Sequence, residues 1–114
     1  MATTIYKICT AAEWREAERI GAFQGSAVDR HDGFIHFSTA EQAPETAAMH
    51  FAGQRDLVLV SVAADALGER LRWEPSRGGA LFPHLYGELA LVAVRGVEPL
   101  PLDDNGLHLF PWKP

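Results

Sequence analysis

The stretch Asp56–Ala64, DLVLVSVAA, constrains the fold most. It is nearly all apolar and β-branched, and it has no polar alternation. A strand of this kind has no face to give to water, so it is expected as a central strand covered on both sides. The segments after it limit how that cover is built. DALGER reads as a tight turn, LRWE as a short strand, and ELALVAVRGVEPL as a further strand. PSRGGALFPHLYG, between those two strands, is punctuated by Pro and Gly and is expected to be irregular. These links are too short for parallel crossovers, which need a dozen or more residues.

Helices are therefore expected early in the chain. TTIYKIC (Thr3–Cys9) reads as a first strand and TAAEWREAERIG as a helix. Thr10 and Glu13 have capping-box spacing, Gly21 ends the helix, and Trp14, Ala17 and Ile20 are read as one buried face. AFQGSAVDRHDG reads as a loop and FIHFS as a short strand. A second helix begins near Ser38 or Thr39, broken or restarted at Pro44, and the tail LPLDDNGLHLFPWKP is expected on the surface, with one late edge strand near LHLF. The prediction is a single α+β domain over residues 1–114, with a mixed, mostly antiparallel sheet and two early helices. Ile5, Ile8, Trp14, Ile20, Ile35, Phe37, Leu57, Leu59, Val92 and Val94 are the expected core.

Composition excludes several function classes. The formal net charge is −5 and the charges are interspersed, which argues against binding nucleic acid, where Lys and Arg supply most of the affinity. One or two arginines would still suffice for a small phosphorylated ligand. The single cysteine, Cys9, rules out an intramolecular disulfide and a thiolate zinc cage, and it reads as a small buried residue. The five histidines lack metal-binding spacing, so no metal is expected; His31 sits in the loop before the histidine strand, and His50 and His108 read as surface or rim residues. There is no P-loop, dinucleotide fingerprint or nucleophile elbow. No run approaches the roughly 18 apolar residues of a membrane span, so no membrane association and a cytoplasmic location are expected.

The polar residues that sit oddly are few. Along FIHFS, alternation puts Ile35 and Phe37 on a core face and Phe34, His36 and Ser38 on the other. An imidazole and a hydroxyl beside an aromatic ring suit the wall of a ligand cleft. Ser38 and Thr39 stand at a helix start, where they serve either as caps, with Glu41 or Gln42 reciprocating, or as ligand contacts. LFPHLYGEL offers His84 and Tyr86 on a rigid Pro–Gly turn, read either as a site or as an aromatic plug. In LRWE, Arg72 and Glu74 share a face, as an exposed ion pair or with Glu74 lining a cleft beside His36. Arg30 lies in the loop before the strand, within reach of a phosphate.

IYKI, DGFIHFSTAEQ, LRWE and LFPHLYGEL, in this order, resemble the small bacterial family called domain of unknown function 952, over almost the whole chain. The resemblance implies an ADP-ribosyltransferase-like fold. FIHFST is also similar to the histidine-containing strand of the RNA 2′-phosphotransferases. This likeness implies that His36, Ser38 and Thr39 line a site for a small nucleotide-like ligand such as NAD or ADP-ribose, with His36 bonding ribose or phosphate. Taken together with the residues singled out above, the enzyme reading expects a catalytic set of His36, Glu74 and Tyr86, with Arg30, Ser38, Thr39 and His84 binding ligand. Tyr86 would stack on the nicotinamide and Glu74 or Glu88 would be the late glutamate, although their motifs do not match those enzymes and the arginine spacing of the phosphotransferases is missing. The activity so implied is ADP-ribosyl or phosphate transfer; the alternative is a non-catalytic ligand-binding or protein-interaction module.

Overall fold

A computed structural model describes residues 3–112, apart from the side chain of Arg77. Strand β1 (Thr4–Thr10) leads directly into helix α1 (Ala11–Ile20). Thr10 caps that helix as expected: the Glu13 N–H donates to Thr10 Oγ1 at 3.0 Å, and the Thr10 N–H donates to Glu13 Oε1 at 2.8 Å. Gly21 closes it in the left-handed region at φ 99°. Trp14 and Ala17 are buried, but Ile20 is 45% exposed, contrary to expectation. At 3.6 residues per turn Ile20 lies about 120° round the helix from Trp14, so an i+3 series walks off the buried stripe.

The segment expected as a loop, residues 22–33, instead holds strand β2 (Ala22–Phe23) and helix α2 (Ala27–Asp32). The Ser26 N–H donates to Asp29 Oδ2 at 2.9 Å, which starts the helix. The Asp–Gly pair read as a turn is its end, with Gly33 at φ 89°. Strand β3 (Ile35–His36) follows, then helix α3 (Ala43–His50). Before α3, Thr39 and Gln42 exchange bonds: Gln42 N–H to Thr39 Oγ1 at 3.2 Å, and Thr39 N–H to Gln42 Oε1 at 3.0 Å. Pro44 stands in the first turn, where its missing N–H costs nothing. The early helices are thus three.

Strand β4 (Leu57–Ala63) is the central strand anticipated from DLVLVSVAA. A 3-10 stretch then leads to strands β5 (Leu71–Ser76) and β6 (Ala80–Leu85), so PSRGGALFPHLYG is largely a hairpin rather than irregular. Its prolines are tolerated for identifiable reasons. Pro75 lies on the edge strand β5, where a missing N–H breaks no ladder. Pro83 lies in the middle strand; its carbonyl accepts the Phe37 N–H at 2.9 Å, and it has no N–H to return. Pairing of β3 with β6 therefore stops after two residues.

ELALVAVRGVEPL is not one strand. Strands β7 (Leu89–Ala90) and β8 (Val94–Pro99) are separated by a 3-10 turn at Leu91–Ala93. The turn carries the chain from one sheet to another and leaves Val92 85% exposed and Val94 only half-buried, so Val92 is not a core residue.

Three sheets result, in the orders β1-β4-β8, β2-β7 and β3-β6-β5, with every pairing antiparallel. The class is α+β, with antiparallel rather than mixed sheets among the described residues. Two cores cover the first sheet. One gathers Ile5, Cys9, Val60 and Val62 with Trp14 and Ala17 of α1, together with Ile35, Phe37 and Leu85. The other gathers Ile8, Leu57 and Leu59 with Ala43 and Ala47 of α3, plus Leu100 and Phe110. The tail therefore contributes to the core through Leu100 and Phe110, and its expected edge strand is a single bridge, Leu102 to His108. A bridge between Tyr6 and Ser38 joins the first sheet to the third, with backbone bonds of 2.8 and 2.9 Å. That bridge brings β1 alongside the histidine strand.

Candidate functional site

The site forms where β1, α2 and the β3–β6–β5 sheet meet. Alternation on β1 places Lys7 on the same face as Ile5 and Cys9, so the chain buries a lysine, 5% exposed. Its partner is Asp29 of α2, 1% exposed, with Nζ 2.8 Å from Oδ2 and 3.0 Å from Oδ1. Asp29 also accepts from the Ser26 N–H at 2.9 Å and the His36 N–H at 3.1 Å. His36 Nδ1 lies 2.6 Å from Asp29 Oδ1. Burial alone would push the Asp29 carboxyl up; the His36 bond, the Lys7 charge and the Ser26 N–H outweigh it and hold the group well below the usual carboxylate range. An ionised carboxylate only accepts, so Nδ1 of His36 carries a proton. On the ring's other side, Nε2 lies 3.0 Å from Oδ2 of Asp32.

His36 pairs in register with His84 on β6. The two rings stand 5.5 Å apart, edge to face, and Phe34 packs on both, at 4.6 Å from His36 and 4.1 Å from His84. His84 is held as His36 is, by a carboxylate: Nδ1 lies 2.8 Å from Glu74 Oε1, which also accepts the Tyr86 O–H at 2.7 Å. The Tyr86 and His84 bonds hold Glu74 below its ordinary range, and Glu74 in turn raises Tyr86. Arg72 lies over the Tyr86 ring at 5.2 Å.

A cavity of about 610 Å³ opens beside these rings. His36, His84, Ser38 and Asp32 supply polar wall, and Ile8 and Phe82 apolar wall. The volume falls within the usual range for small-molecule sites.

Of the residues singled out in the sequence, His36, Ser38 and His84 line this cavity. Glu74 and Tyr86 lie on the same sheet face but behind His84, with Phe34 linking Tyr86 to both histidines. Ser38 Oγ is 2.9 Å from Thr46 Oγ1. Thr39 is engaged with Gln42 at the helix start, and Arg30 lines a separate recess of about 290 Å³ with Phe34 and Glu88. Cys9 is buried, which pushes its thiol up to about 12 and fits an inert core residue. Among the described residues no group of three or more His, Cys, Asp and Glu is placed to hold a metal ion, and no helix is long and apolar enough to cross a membrane.

Sequence reasoning missed Lys7, Asp29 and Asp32. The signal for Lys7 was present, a charge at an inward position between Ile5 and Cys9. Asp29 had helix-start spacing from Ser26, but its burial depends on contacts distant in sequence.

The Glu74 bridge is open to a direct test. Tyr86→Phe removes the largest influence lowering the Glu74 carboxyl, so the Glu74 titration should move up toward the ordinary range. Carbon-detected NMR titration of Glu74 checks this; an unmoved titration would show that Tyr86 does not hold the carboxylate in solution.

The chain matches known sequences and structures. The model of a family described as "Protein of unknown function (DUF952)" matches residues 8–97. The crystal structure of protein CC0527 from Caulobacter crescentus is 55% identical, with 94% of each chain covered and a TM-score of 0.91. The solution NMR structure of CC0527 is 56% identical, with 91% of this chain and 90% of that one covered and a TM-score of 0.83. A search of curated proteins found no match. With the family model spanning all but the ends and CC0527 sharing the fold at this identity, the chain belongs to the DUF952 family.

Proposed function

We propose that the cavity binds a nucleotide of the NAD or ADP-ribose type and that the site is equipped for ADP-ribosyl transfer. One observation carries this reading. Two imidazoles, each held at Nδ1 by a carboxylate, face one another across paired strands on the wall of a cavity large enough for a small ligand. Imidazoles fixed in this way are suited to bonding ribose hydroxyls, and apolar wall is suited to a base. The resemblance of FIHFST to the nucleotide-handling strand of the RNA 2′-phosphotransferases supports the same ligand class.

In such a transfer the bond from C1′ of the ribose to the nicotinamide nitrogen breaks, and its electron pair leaves with nicotinamide. An acceptor lone pair forms the new bond at C1′ and gives up its proton. Positive charge develops on the ribose in between, and fixed negative charge nearby stabilises it. Glu74 supplies such charge through His84, since it stands behind that ring. Transfer to or from RNA forms no part of the proposal, because the chain carries a net charge of −5 and Glu13 and Asp32 both line the cavity. A second reading, binding without turnover, is favoured by one feature: the Glu74 carboxylate is already engaged by both His84 and Tyr86.

Calorimetric titration with NAD, ADP-ribose and inorganic phosphate tests the ligand class, and release of nicotinamide separates transfer from binding alone. Absence of binding by both nucleotides would end the proposal. His36→Ala should lower affinity at least tenfold. Because its ring is bonded to buried Asp29, His36→Ala should also cost about 1–2 kcal/mol of stability. A melting curve and a titration on the same variant read both quantities.

A further inference from the structure

We infer that Asp32 and His36 together form a subsite for the vicinal diol of an unphosphorylated ribose, and that Asp32 excludes a ribose carrying a 2′-phosphate. The inference rests on the nucleotide reading above and names which nucleotides the site takes.

Asp32 ends helix α2, on the cavity wall, with Oδ2 3.0 Å from His36 Nε2. Its second carboxylate oxygen lies 3.1 Å from His31 Nδ1, whose side chain is exposed. The Asp32 side chain is itself 36% exposed, so it is reachable by ligand. A carboxylate offers acceptors only, and a vicinal diol offers two O–H donors at matching spacing; acidic residues bind the ribose diol in dinucleotide sites for this reason. One hydroxyl of the diol can donate to the Asp32 carboxylate while its neighbour donates to Nε2 of His36, the ring nitrogen left as acceptor when Nδ1 holds the proton.

The charges around the subsite point the same way. Lys7 also lines the cavity, and Asp29 neutralises it. Glu13 adds a second carboxylate to the cavity wall, though one oxygen is taken by the Thr10 N–H. Arg30 lines a different recess. A phosphate dianion on the ribose would therefore meet Asp32 directly; among the described residues that line the cavity, the partners of opposite sign besides the neutralised Lys7 are the histidines, and then only when protonated. A like charge facing a ligand group is a device for rejecting it.

The experiment compares ADP-ribose with ADP-ribose 2′-phosphate by calorimetry, on the wild-type chain and on Asp32→Asn, with melting curves to confirm folding. Wild type is expected to favour ADP-ribose at least tenfold, and Asp32→Asn to bring the two within about threefold of each other. Should Asp32→Asn bind neither compound, Asp32→Ser, with a hydroxyl in place of the charge, supplies the ratio. Equal affinities in wild type, or an unchanged ratio in the folded variants, would overturn the inference and leave the nucleotide reading standing. Failure of both compounds to bind wild type would overturn the two together.

Discussion

Asp29→Ala should destabilise the fold by about 3–5 kcal/mol, the cost of leaving a buried charge without its partner. Lys7 would remain at 5% exposure with its ammonium facing an empty space, and the His36 ring and the Ser26 N–H would lose their acceptor as well. Urea unfolding of the variant measures the loss. The double variant Lys7→Met, Asp29→Leu should recover most of it, because an apolar pair of similar volume carries no desolvation penalty. A single-variant loss under about 1 kcal/mol would mean that Lys7 reaches water in solution. The same carboxylate sets an acid limit. Its folded-state titration lies below the unfolded value of about 3.9, so its contribution is complete above roughly pH 5 and is lost progressively as pH falls toward the folded value. Wild type should therefore lose stability on acidification more steeply than the double variant, in which no group titrates at that position.

Trp14→Ala should cost about 3–5 kcal/mol, the usual range for deleting a buried large aromatic. Trp14 is 5% exposed and packs against Phe23 at 5.9 Å between ring centres, over the face of the first sheet that carries Val60 and Val62. Truncation would open a cavity between α1 and that sheet. If the variant melts at the wild-type temperature, α1 is not anchored there. Ile20→Ala, on the same helix but exposed, is the internal comparison and should stay within about 0.5 kcal/mol.

The contrast between Trp14 and Ile20 shows how far local pattern reaches. Helix α1 was legible because its start and stop are made by nearby residues, Thr10 with Glu13 and then Gly21. Which of its apolar residues are buried depends on where the sheet ends beneath it. Helix α2 was missed although Ser26 and Asp29 carried the start signal, because the surrounding Gly, Ser and Asp residues are equally those of a loop. The hairpin β5–β6 was missed because its prolines argue against strands in general, and only pairing shows that Pro75 faces an open edge and Pro83 the end of a two-residue ladder. At the site, alternation correctly put Ile35 and Phe37 in the core; His36 and Ser38 line the cavity, and Phe37 reaches it as well. Alternation said nothing of what holds the ring.

By itself the sequence determined the elements whose signals are periodic or lie within one turn of chain: the doubly covered strand β4, the capped helix α1, the two faces of the histidine strand, and an α+β class with short links between strands. Those follow from hydrogen bonds and burial among residues a few positions apart. The tertiary structure alone decided that Lys7 and Asp29, 22 positions apart, form a buried pair behind His36, and that Glu74 and Tyr86, 12 positions apart, meet at His84. It also decided that the tail completes the second core through Leu100 and Phe110. A charge tolerates burial only if its counter-charge is brought within bonding distance, and that requires the Tyr6–Ser38 bridge to set β1 beside the third sheet. No spacing along the chain encodes that approach, because it results from the packing of three separate sheets.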